Sequence, residues 1–308
     1  MKFPAPGRLV DIGRHRLHLH DSGNPVSSAP TVILEAGLAA TSLSWALVQP
    51  AIAEFAQVAS YDRAGLGWSD NACKPATALN AATDLYALLQ NADLPAPYIL
   101  VGHSFGGLIV RIFQQLHPDK VAGLVLVDPV VRSQWREPDK RHAQMLSRGA
   151  ALSRRGAFLA RLGVVRFALN KLTSPGPHRV PGLMAKTFAG QASGVANRLV
   201  GEVRKIPREL WPVIADHWSE ERAFRIMAEY LDNLPVSCGQ LDEMPALGDL
   251  PTVVLSSAGA SADTLSEHQR DARLSTRGEH QSVPNTGHWI NLDAPEAIVA
   301  AVRRMIAA

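Results

Sequence analysis

A chain of 308 residues with 46% hydrophobic and 19% charged side chains has the composition of a folded globular protein, which excludes a disordered one. Its formal charge of +3 conceals an uneven distribution: residues 130–210 hold 16 Lys and Arg against four Asp and Glu, or +12, and leave −9 for the remainder. A step of that size marks a separate module in mid-chain.

Residues 8–12 and 16–20 alternate apolar and polar side chains around Gly13-Arg14, which predicts an antiparallel hairpin. Residues 31–36, 58–61, 98–102, 121–127 and 251–256 are short apolar runs rich in β-branched residues, the pattern of parallel strands buried on both faces. Residues 279–283 read as one further strand. Helical periodicity lies between them, over 45–55, 77–91, 107–117, 264–274 and 295–307. The order predicts an α/β fold: a mostly parallel central sheet of about eight strands flanked by helices. Residues 130–248 are mostly helical in pattern, broken by Ser174-Pro175-Gly176-Pro177 and Pro181-Gly182. An insert between two sheet strands must leave the sheet and return. It is therefore expected as a helical cap over the strand C-termini, with residues 1–129 and 249–308 forming the core domain.

The most informative stretch is Tyr98-Ile-Leu-Val-Gly-His-Ser-Phe-Gly-Gly107, an apolar strand running through Gly102-His103-Ser104-Phe105-Gly106 into a helix. Gly-x-Ser-x-Gly has chemical meaning in that context. Glycines on both sides permit a bend too tight for Cβ atoms, and Ser104 is left exposed above the sheet. A serine hydroxyl needs a base. His288, in Asn285-Thr286-Gly287-His288-Trp289, belongs to a loop at the same edge of the sheet. His103 sits inside the elbow and is expected to pack beneath the serine. His18 and His20 share one strand face, where a polar edge strand is a better reading than a metal site. The base needs an orienting carboxylate. Asp128 ends the 121–127 strand, and Asp263 lies a few residues past the next one. Asp128 makes the better acid and Asp263 the better helix cap, and both stay open. The oxyanion hole needs two N–H groups. Phe105, at the first turn of the helix, supplies one and Leu38, after the 31–36 strand, the other, with Gly37 permitting the turn.

Taken together, Glu35-Ala36-Gly37-Leu38, Asp62-Arg63-Ala64-Gly65-Leu66-Gly67-Trp68-Ser69, the elbow, Leu126-Val127-Asp128-Pro129 and Gly287-His288-Trp289 resemble the α/β-hydrolase fold superfamily, in its serine esterase-like group. The likeness spans the chain outside the insert. Two departures stand out. Ala36-Gly37 replaces a frequent His-Gly, and Ser257-Ala258-Gly259-Ala260 lacks the Asp that many members carry after that strand. The second departure favours Asp128, which lies 24 residues beyond Ser104, as the acid does in the dehalogenase-like branch. Dehalogenases and epoxide hydrolases of the family use an Asp nucleophile, and position 104 is serine. The resemblance also implies that Asp62-Arg63 and the Gly65-x-Gly67-x-Ser69 turn form a tight loop braced by an ion pair, with Ser69 as a cap. Gly37, Trp45, His103 and Trp289 are candidate pocket residues.

The expected activity is hydrolysis of a carboxylic ester or lactone by a Ser104-His288-Asp128 triad, with no metal or organic cofactor. Other chemistry on the same fold remains as an alternative: C–C bond or amide hydrolysis, acyl transfer, cofactor-free haloperoxidase activity, or a slow-hydrolysing ligand receptor. The +12 segment carries no nucleic-acid motif and few aromatics, so no nucleic acid is expected as partner. A membrane surface or an acidic substrate competes there with a solvated helical face. Two widely spaced cysteines, Cys73 and Cys238, match no zinc or redox spacing. The first residues hold no signal-peptide core, and no run of about 18 apolar residues exists. A cytoplasmic monomer or homodimer without stable membrane insertion is therefore expected.

Overall fold

A computed structural model describes residues 2–24, 29–173, 205–241 and 246–307. The expected Pro/Gly breaks at 174–177 and 181–182 lie outside the described residues, as do Arg179, Lys186, Arg198 and Arg204 of the basic segment. The chain opens with β1 (Arg8–Asp11), β2 (Arg16–Ser22) and β3 (Thr31–Glu35), then a short α1 (Gln49–Ala53) and β4 (Val58–Tyr61). There follow α2 (Ala78–Asn91), β5 (Tyr98–His103), α3 (Phe105–Leu116) and β6 (Val121–Val127). Between β6 and the next strand come α4 (Arg132–Arg136), α5 (Lys140–Arg161), α6 (Val164–Thr173), α7 (Trp211–Trp218), α8 (Glu221–Asp232) and α9 (Leu234–Gly239). The chain closes with β7 (Thr252–Ser257), α10 (Ala262–Ala272), β8 (Gly278–Val283), α11 (Ile290–Asp293) and α12 (Pro295–Ala307).

The eight strands form one sheet in the order β1-β2-β4-β3-β5-β6-β7-β8. The β1–β2 and β2–β4 pairs are antiparallel and all others are parallel. Alternation along the strands explains their unbroken apolar character. Leu100, Leu124 and Leu126 face α2 and α3, while Ile99, Val101, Val125 and Val127 face α1 and α12. Both faces of the central strands are thus dry, and a polar residue within them would cost desolvation without a partner.

Three expectations change. The single helix expected over 45–55 is a one-turn 3-10 helix, Ser42–Trp45, followed by α1 with Pro50 in its first turn. Proline carries no N–H for an upstream carbonyl, so the helix restarts there instead of running through. β2 is an inner strand, between β1 and β4, so His18 belongs to no polar edge. Both ring nitrogens of His18 are engaged, Nδ1 with Asp62 at 2.9 Å and Nε2 with the Pro6 carbonyl. Finally, the expected Asp62–Arg63 ion pair does not form: Asp62 turns to His18 and Arg63 to Glu35. Ser69 caps no helix. Its hydroxyl accepts from the His18 N–H at 2.8 Å and donates to the Asp62 carbonyl, tying β2 to the loop after β4.

Candidate active site

Strand β5 delivers Ser104 at the sheet's C-terminal edge with φ 53° and ψ −117°. A non-glycine residue rarely adopts that conformation, at a cost of about 1–3 kcal/mol. Neighbouring backbone holds it there. The Ser104 N–H donates to the Val127 carbonyl at 2.9 Å, and the Ser104 carbonyl accepts from Gly107 and Val130 N–H at 3.0 and 3.3 Å. Glycine is required on both sides. A Cβ at Gly102 would lie 2.6 Å from the Gly106 carbonyl oxygen, and one at Gly106 would lie 2.5 Å from that of Glu35.

The sheet brings together residues 184 and 160 positions apart. His288 Nε2 lies 2.9 Å from Ser104 Oγ, and His288 Nδ1 lies 2.7 Å from Asp128 Oδ2. The second carboxylate oxygen, Oδ1, accepts from the Ser257 N–H at 2.9 Å. Asp128 itself has positive φ, 42°, and its N–H donates to the Leu255 carbonyl at 2.7 Å. Burial pushes the Asp128 carboxyl up. The hydrogen bond and charge of His288, with the Ser257 N–H, outweigh that and hold it below the usual carboxylate range. Asp263 lies elsewhere: it is exposed in the first turn of α10, whose N-cap is Ser261, accepting from the Thr264 N–H at 3.2 Å. Asp263 is therefore neither the partner of His288 nor the cap itself.

His103 lies under the elbow as expected. Its Nε2 is 2.8 Å from the His288 carbonyl oxygen, and its ring stands 5.2 Å from that of Trp289. Burial, then the adjacent His288, lowers its pKa to about 3, so the ring is neutral. In the unfolded chain a histidine takes a proton below about pH 6.5, so the unfolded state binds more protons between there and about 3. Stability is fully present above that window and is lost as pH falls through it. From pH 6.5 to 4.5 this residue should cost about 2 kcal/mol. Urea denaturation at both pH values should show His103→Gln less acid-sensitive than wild type by that amount.

Gly37 covers the elbow, since a Cβ there would lie 3.0 Å from His103 Nδ1 and 3.7 Å from Ser104 Cβ. The loop is clamped by Arg63, a residue sequence reasoning placed elsewhere. Its buried guanidinium pairs with Glu35 and donates to the carbonyls of Ala36 at 2.7 Å, Gly37, and Leu38 at 2.6 Å. Because the Gly37–Leu38 peptide is trans, fixing the Gly37 carbonyl on Arg63 aims the Leu38 N–H the opposite way. The sequence signal was Glu35, a lone charge ending a strand of Thr-Val-Ile-Leu. Arg63→Met should destabilise the protein by about 3–5 kcal/mol, because it strands a buried carboxylate. Adding Glu35→Gln should recover much of that loss in urea denaturation.

Phe105 opens α3, where no helical carbonyl can accept its N–H. Leu38 is half-buried. Trp45, a candidate for either the pocket or the core, is fully buried in the cluster of Val32, Val48 and Ile52 on the sheet's other face. A small hollow, partly open to solvent, lies between the loop after β3 and helices α7–α8, lined by Ala39, Thr41, Leu66, His217, Phe224 and Met227, with neither Ser104 nor His288 in its wall. The segment between β6 and β7 contacts this region: Tyr230 of α8 meets Phe105 edge-on with ring centres 5.1 Å apart, and Arg222 donates to the Gly67 carbonyl at 2.6 Å. Among the described residues, no helix is long and apolar enough to cross a membrane, and no group of three or more His, Cys, Asp and Glu could hold a metal ion.

The family model for the alpha/beta hydrolase fold matches residues 30–295. Mouse sn-1-specific diacylglycerol lipase ABHD11 is 27% identical over 224 residues, 73% of this chain and 63% of that protein. The chain spans less than two thirds of the length of the curated relatives it matches. A thermophilic esterase from Thermogutta terrifontis superposes with a TM-score of 0.65 at 21% identity, covering 98% of each chain. The epoxide hydrolase CorEH does so with a TM-score of 0.69 at 17% identity, covering 97% of this chain and 98% of its own. At those identities the two structures show a shared fold. With the eight-stranded sheet and the strand–turn–helix around Ser104, the family match establishes that this chain belongs to the alpha/beta hydrolase fold family.

Proposed function

We propose that this protein is a serine hydrolase that cleaves a carboxylic ester or lactone through an acyl-enzyme. The carrying observation is the unbroken hydrogen-bonded line from Ser104 Oγ through His288 to Asp128. In this reading His288 Nε2 takes the Ser104 proton as Oγ attacks the ester carbonyl. The Leu38 and Phe105 N–H groups receive the negative oxygen, each worth about 3–4 kcal/mol in the transition state. His288 then protonates the leaving alkoxide, and water activated by the same ring releases the acid. The ionised Asp128 accepts from His288 Nδ1–H, so that Nε2 is left to act as base. A serine at position 104 supports acyl transfer to oxygen over the aspartyl-ester chemistry of epoxide opening.

The segment 130–248 serves in this reading as a cap that shapes the substrate site. A panel of p-nitrophenyl esters of increasing chain length, with lactones alongside, tests the proposal. Turnover of at least one series, blocked by a serine-directed phosphonate, is the expected result. An enzyme that hydrolyses an epoxide or amide but no ester or lactone would overturn it.

A further inference from the structure

Helix α5 is two-faced. One side packs on α8 so closely that a Cβ added to Gly156 would lie 2.6 Å from the Phe224 ring. Ala150, Ser153, Ala157 and Ala160 are buried on that side. On the outer side Arg141, Arg148 and Arg155 recur every seven residues, and each is followed four residues on by an apolar one, Met145, Leu152 or Leu159. Residues seven apart, or three to four apart, share a helix face. Met145 is 52% exposed, Leu152 43%, Phe158 62% and Leu162 60%. Residues 140–169 contain seven Lys and Arg and no Asp or Glu. Arg154 and Arg166 are matched by Asp232 and Asp216, while no ion pair to Arg141, Arg148 or Arg155 occurs among the described residues.

We propose that this outer face of α5 docks reversibly on an anionic phospholipid surface. A solvated helical face has no use for four large exposed apolar side chains. A nucleic-acid site would press them against phosphates. A second copy of the same face would set arginines against arginines. A lipid interface satisfies both halves at once: the apolar side chains enter the acyl boundary and the arginines extend their stems to reach the phosphates. The bundle has the right order for this, because α5 covers α8, and Tyr230 of α8 covers Phe105 beside Ser104. The docked face therefore lies on the elbow side of the sheet. Docking is peripheral and stands independently of which bond the site cleaves.

Co-sedimentation of the full chain with phosphatidylcholine vesicles, with and without roughly one third phosphatidylglycerol, tests this. Wild type should partition about tenfold more onto the anionic vesicles at about 0.1 M salt, and lose most of that preference at about 0.5 M. R141E/R148E/R155E should abolish the preference. M145S/L152S/F158S/L162S should weaken binding to anionic vesicles about tenfold with its charge intact. Thermal unfolding checks that both variants fold, with Arg148→Glu alone as a milder substitute. Wild type remaining in solution with anionic vesicles would overturn the proposal. So would vesicle binding unchanged in the variants, duplex-DNA binding in place of vesicle binding, or a vesicle-inert dimer that the apolar variant dissociates.

Discussion

Ser104→Ala should lower kcat/KM toward the best ester of the panel by about 10⁴- to 10⁶-fold, to the level left by binding and the oxyanion donors. The size of the loss follows from the way the three residues act as a unit. Without Oγ, His288 has no proton to take and Asp128 orients a ring with nothing to activate. The fold should survive, because the strained backbone at 104 is held by main-chain hydrogen bonds to Val127, Gly107 and Val130 that alanine keeps. Stability should therefore change by no more than about 1 kcal/mol. The measurement is steady-state hydrolysis beside urea denaturation of the same preparation. A folded Ser104→Ala protein with activity within a few-fold of wild type would end the nucleophile assignment. A protein that lost activity because it no longer folds would show it in the denaturation curve.

Asp128→Asn should cost about 10⁴-fold in kcat with little change in KM. The hydrogen bonds at Asp128 give the reason. Its Oδ1 accepts from the Ser257 N–H, so an asparagine in that place turns its carbonyl oxygen to Ser257 and its NH₂ to His288 Nδ1. Nδ1 must then accept, the ring proton moves to Nε2, and the base faces Ser104 with the wrong tautomer. Asp263→Asn is the matched control. Exposed in the first turn of α10 and away from His288, it should leave kcat within about twofold. A larger loss from Asp263→Asn than from Asp128→Asn would reverse the assignment of the acid.

The elbow and the strands around it were legible because their causes are local. Gly102 and Gly106 flank a bend that admits no Cβ, and double-sided burial leaves a continuous apolar run such as Leu124-Val125-Leu126-Val127. Trp45 and Arg63 were not legible for the opposite reason. An aromatic side chain at a helix start looks the same whether it faces the cleft or α12, and only packing against Val32, Val48 and Ile52 decides. Asp62 and Arg63 are adjacent, yet successive side chains leaving a strand diverge. One reaches His18 on β2 and the other Glu35 at the end of β3, partners 44 and 28 residues away in sequence.

By itself the amino-acid sequence determined the fold class, the serine at a strand–helix turn, the candidate histidine and a choice of two acids. Each is written in a short window by backbone sterics or hydrophobic periodicity. The tertiary structure alone set Asp128, and not Asp263, against His288, brought Arg63 to the loop carrying Leu38, and showed which faces of α5 are covered. Those outcomes depend on which strand lies beside which and on how closely helices approach. Such long-range pairings are fixed by the packing of the whole sheet and leave no mark on any single stretch of chain.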